Sequence, residues 1–146
     1  MTKSKTWATW IALLGGAFGL HRFYLHGLKD WKGWLHPLPT FLGILGVQRV
    51  QRFGIDDGLA WWLIPFGGVS ITIALLCAIV YGLMPDERWD ARHNAGSAGT
   101  PASGWGAVIG VVIALLVGAT VMISTISVSI QHAFEAQAEG ERTLNR

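Results

Sequence analysis

The chain has 146 residues, 51% of them hydrophobic and only 14% charged, with a formal net charge of +2. An ordinary soluble domain carries about 25% charged residues, and here the apolar residues come in long uncharged blocks, so composition points to a membrane. The scattered basic residues give no electrostatic footprint for nucleic acid, and the single cysteine, Cys77, excludes an intrachain disulfide and a two-cysteine redox motif.

After a short polar start with Lys3 and Lys5, Trp7 to Leu20 is free of charge. Its 14 residues make about 21 Å of helix, short of the ~30 Å hydrocarbon core. Continued through Leu25 it reaches about 28 Å, giving an expected first span over about 7–25 with Arg22 snorkelling from its end. A basic start before an apolar run is also the layout of a signal peptide, but no small-x-small cleavage site precedes a polar mature start. Gly15 and Gly19 are spaced as a G-x-x-x-G pair, which on one helical face favours close helix contact.

The segment Gly16-x-x-Gly19-x-His21-Arg22-Phe23-Tyr24-Leu25, with Lys5 and an apolar helix ahead of it, resembles the TM-two (two-transmembrane) domain family. The likeness covers about the first third of the chain. His26 stands between Leu25 and Gly27, and the nearest counterpart of the family's Asp-Arg-Phe triplet, Gln51-Arg52-Phe53, follows the second apolar element. The resemblance implies a helical hairpin in a bacterial inner membrane, residues 1–53, with no enzymatic activity attached.

Lys29, Asp30 and Lys32 alternate with Trp31 and Trp34, the pattern of a membrane-interface belt. Pro37 and Pro39 then break the chain, and Pro39 suits the first turn of a new helix. The second apolar element, about 38–53, is half amphipathic: a tilted span, a re-entrant piece and an interfacial helix all satisfy its pattern. Gly54 to Gly58 is a turn. Leu59 to Met84 runs 26 residues without a charge, with Trp61 and Trp62 at one end and Tyr81 near the other. Pro65, Gly67 and Gly68 are expected to kink it. A charged interfacial segment completes the unit 54–92, and residues 93–104 read as a flexible linker.

Trp105 to Ile130 is the second long span. Gly106, Gly110, Ala114 and Gly118 recur every four residues, a stripe that lets another helix approach closely, either Leu59–Met84 of the same chain or a second copy. Residues 131–146 form a polar tail, helical at first and fraying past Gly140. The fold class is therefore all-α and multi-pass, a short helical hairpin followed by two long transmembrane helices. Four crossings with the N-terminus inside set six basic residues against five; three crossings with the N-terminus outside set seven inside against four, so the positive-inside rule leans to the latter.

His21, Arg22 and Tyr24 read either as interfacial anchors or as a headgroup or partner patch, since Arg suits bidentate phosphate contact. His21, His26 and His36 fall on a helix end, a loop and a Pro-flanked break without a companion thiolate or carboxylate, so no metal or haem site is expected. Asp56 and Asp57 are helix-capping residues by position, and no carboxylate lies within either long span. The sequence thus leads to a non-enzymatic membrane protein with no cofactor. It would work through helix packing and the His-Arg-Phe-Tyr patch on membrane lipids, on a second copy or on another membrane protein. The alternative is a small oligomeric transporter or channel subunit.

Overall fold

A computed structural model describes residues 2–97 and 102–144. The described residues are helical throughout, with no strand: α1 (Lys5–Gly15), a 3-10 turn (Gly16–Phe18), α2 (Leu20–His26), α3 (Trp31–Leu35), α4 (Pro37–Phe53), α5 (Gly58–Leu83), α6 (Asp86–His93) and α7 (Trp105–Leu144). Two of them, α5 and α7, are long and apolar enough to cross a membrane.

The central element is α5, which touches α1, α4 and α7. Asp57 caps its start by accepting from the Leu59 amide, and the helix runs 26 residues, about 39 Å, with Pro65 inside it. Two half-length helices share its flank. Near its C-terminal end Ala12 of α1 packs with Leu75 and Ala78, and Ala114 of α7 closes the same cluster. Near its N-terminal end α4 lies so close that a side chain on Gly43 would meet the Gly67 backbone and one on Gly46 would meet Ile64. Backbones this near gain dispersion along their whole contact, which larger residues would prop open.

The first helix does not continue to Leu25, as the apolar run suggested. It stops at Gly15, turns through Gly16–Phe18, and restarts after Gly19, whose φ of 76° is left-handed and therefore suited to glycine. The chain then runs back beside itself: Leu25 clusters with Ala8 and Trp89, and the Tyr24 hydroxyl accepts from the Ser4 amide at 2.9 Å. Gly15 and Gly19 therefore do not share a helical face. Residues 5–26 are a closed hairpin that reaches only halfway along α5, where Gly16 meets Ala74.

The longer continuous element is instead α3 followed by α4. Asp30 caps α3 through the Lys32 amide, and His36 between the two helices keeps helical dihedrals (φ −62°, ψ −41°). Together residues 31–53 amount to about 34 Å of helix. Helix α7 is a single 40-residue rod of about 60 Å that does not fray at Gly140 but continues to Leu144. The stretch expected to be a flexible linker is tied at both sides. Asn94 is buried and bonds the Lys3 backbone, and Ser103 bonds Asp86; residues 98–101 lie outside the described residues.

Candidate functional site at the tip of the hairpin

Breaking a helix frees backbone carbonyls that something must satisfy. Here the Ala17 carbonyl accepts from the Thr40 hydroxyl of α4 at 2.6 Å, and Ser70 of α5 lies 2.8 Å from the same Thr40 oxygen. Both hydroxyls are buried. Three separate elements thus meet at one polar point halfway along α5. A lone serine in the apolar run of α5 and a threonine one residue past Pro39 are the sequence signals that could have located it.

His21 lies beside this point. It opens α2, is 1% exposed, and its ring stands 5.2 Å from that of His36 and 5.9 Å from that of Tyr81. Its Nδ1 is buried without a hydrogen-bond partner among the described residues. A nitrogen left in this condition costs about 1–3 kcal/mol, and such atoms usually hold an ordered water or mark a site of exchange. The structure brings His21 and His36 together, whereas His26 faces His93, with rings 6.5 Å apart. Among the described residues no three His, Cys, Asp or Glu side chains converge as a metal would need.

The other motif residues each find a partner within the chain while staying partly exposed. The Arg22 guanidinium donates from Nε to Asp30 at 2.7 Å, a bond that holds the Asp30 carboxyl below its usual range. Phe23 covers Gly33, where a side chain would overlap its ring, and its centroid is 5.1 Å from that of Trp34. Tyr24 is spent on Ser4. Gly19 fits under the Gly33 carbonyl and Gly16 against Ala74 and His21, where added Cβ atoms would collide. Through these contacts the His-Arg-Phe-Tyr segment closes the hairpin onto α3 and onto the start of α1, with Arg22, Phe23 and Tyr24 each left partly exposed.

The small-residue stripe is likewise occupied within the chain. Gly106 faces Thr6, Gly110 faces Thr9 and Trp10, Ala114 joins the Ala12–Leu75–Ala78 cluster, and Gly118 faces Leu75. The α1 hairpin, not only α5, is its partner. No family model, no curated protein and no solved structure matches the chain.

Proposed function

We propose that this is a non-enzymatic, multi-pass membrane protein that crosses the bilayer three times, through 31–53, 58–83 and 105–130, and carries residues 5–26 as a re-entrant hairpin. The observation that carries the reading is exposure: only 22% of the apolar window of α5 and 28% of that of α7 are buried. A core helix of a soluble protein would be covered on most sides, while contiguous apolar surface of this extent calls for lipid. The TM-two resemblance agrees with a membrane hairpin but rests on the motif residues alone.

Taken with the positive-inside rule, this arrangement favours the opposite orientation from the one the sequence leans to. Lys3, Lys5, Arg22, Lys29, Lys32, Arg88 and Arg92 all belong to the end where the N-terminus lies, against Arg49, Arg52 and Arg142 at the other. The positive-inside rule then puts the N-terminus in the cytoplasm. Single cysteines at Ser4, Lys29 and Asp56, in a Cys77→Ser background, separate the arrangements. Ser4 and Lys29 are expected to label from the same side and Asp56 from the other. Labelling of Ser4 and Lys29 from opposite sides would restore a full span over 7–25.

Within this topology the protein acts as an interaction or scaffolding element, its glycine-lined interfaces holding a rigid bundle whose outer faces meet lipids, a second copy or another membrane protein. A second reading, a small transporter or channel subunit, draws on the buried, unbonded His21 beside Thr40 and Ser70 where helices break, the layout of intramembrane binding points. Proton flux into vesicles carrying the purified protein, abolished by His21→Phe, would favour it over the scaffold.

A further inference from the structure

We propose that the groove between the α2–α3 corner and α5 binds one anionic glycerophospholipid, its phosphate on Arg22 and Lys32 and an acyl chain along Leu35, Val69 and Ile73. The proposal rests on the membrane reading above and gives that surface a ligand class. The groove encloses about 430 Å³, within the ~300–1,000 Å³ range of small-ligand sites. Its lining combines the basic Arg22 and Lys32 and the indole of Trp31 with apolar side chains of α3 and α5, and also includes the polar His36 and Ser70.

The mouth is prepared for phosphate. Arg22 is anchored to Asp30 through Nε, and neither of its terminal nitrogens is hydrogen-bonded among the described residues. A guanidinium fixed at its base presents those two N–H₂ groups as a fork, the geometry that matches two phosphate oxygens. Lys32 is exposed, joins no ion pair among the described residues, and stands 5.9 Å from the Trp31 ring centroid. Asp30 neutralises Arg22, so the mouth carries one net positive charge from Lys32. That balances a single phosphodiester rather than a polyanionic headgroup.

The slot fits a chain from one leaflet. Val69 and Ile73 are 52% and 45% exposed, and they lie ten to fourteen residues before the end of α5 at Leu83, about 15–21 Å along the helix. That is roughly half of a ~30 Å core, measured from the end that carries Arg22 and Lys32. A soluble phosphate would leave this apolar length unfilled, so the lipid is the occupant that uses both parts. The end in question is the one assigned to the cytoplasmic leaflet, where anionic lipids concentrate.

The test is native mass spectrometry of the full-length protein in non-ionic detergent, titrated with phosphatidylglycerol or phosphatidylcholine. Phosphatidylglycerol is expected to bind about tenfold more tightly, because phosphatidylcholine carries the same phosphodiester but adds a choline cation that Lys32 repels. Arg22→Gln and Lys32→Gln should each erase that preference, Val69→Trp should weaken both lipids by filling the slot, and Arg88→Gln should change nothing. Equal affinity for the two lipids, or an unaltered preference in Lys32→Gln, would overturn the proposal. Lys32 is exposed and bears no ion pair, so its variant stays informative even if Arg22→Gln loses helicity by circular dichroism. Carbonate washing of native membranes separates the two levels of failure. Release into the supernatant would sink the membrane reading itself, while retention without lipid preference would sink the lipid site alone.

Discussion

The two ends of the bundle are built differently. At the N-terminal end, residues remote in sequence are sewn together. Lys3 bonds Asn94 and the Leu25 carbonyl, Trp89 donates to the Lys3 carbonyl at 2.8 Å, and Trp10 donates to the Gly106 carbonyl at 3.0 Å. Lys5, only 9% exposed, spans the Met84 carbonyl and Asp86. At the opposite end the hydrogen bonds are local: Arg49 grips Asp57 with two bonds across a short turn, and Trp61 donates to the Ile55 carbonyl. The stacking of Trp61 on His132 joins α5 to α7 there. One end is held by long-range ties and the other by the rigidity of helices that were already packed further in. Local ties at a helix turn fix only their own turn; ties between distant segments fix the fold.

Four substitutions test the contrast, in descending order of effect. Trp89 is 1% exposed at the centre of the sewn end, so Trp89→Ala is expected to cost about 3–5 kcal/mol. Trp61→Ala, the same change at the open end, should cost less, about 1–2 kcal/mol, since its ring is partly exposed and makes one stacking contact and one local hydrogen bond. Unfolding in mixed detergent micelles measures both, and equal losses would erase the distinction between the ends.

Acid gives the second test. The Lys5 hydrogen bond, then those from Ser103, hold Asp86 down to about 2. A carboxylate depressed in the folded state contributes stability that is complete above its unfolded pKa near 4 and is lost as pH falls towards 2. The sewn end should therefore loosen over that window, seen as a shift in tryptophan emission. Asp86→Asn should remove the acid step and show the loosened spectrum already at neutral pH. The smallest effect is expected at the open end. Arg49→Gln breaks a well-aligned but solvent-screened pair, and its melting temperature should match the parent protein within error.

Much of this was legible in the chain. Uncharged runs located α5 and α7 because length and apolarity alone define such helices, and Asp57 followed by Gly58 marked the start of α5. The four-residue stripe identified the packing face of α7 and α5 as a companion but not α1, since periodicity shows which face is small and not everything that fills the space. The hairpin was misjudged for a physical reason. Trp7 to Leu20 is uncharged and Arg22 can snorkel from a helix end, and a glycine cluster reads the same whether it eases helix contact or reverses the chain. What decides is the left-handed backbone at Gly19 together with Thr40 and Ser70. Those partners lie 21 and 51 residues further on, beyond any local pattern. The roles of Arg22, Phe23 and Tyr24 were hidden likewise, because Asp30, Gly33 and Ser4 meet them only once the hairpin is closed.

The polar tip of that hairpin has a consequence for how the protein is made. The Ala17 carbonyl finds its donor in Thr40, and Thr40 in turn is held against Ser70. In the proposed membrane topology, the tip would face hydrocarbon with its carbonyl unpaired until those residues were in place, at a cost of several kcal/mol. In that topology the hairpin would be seated only after the later α4 and α5 stand ready to receive it.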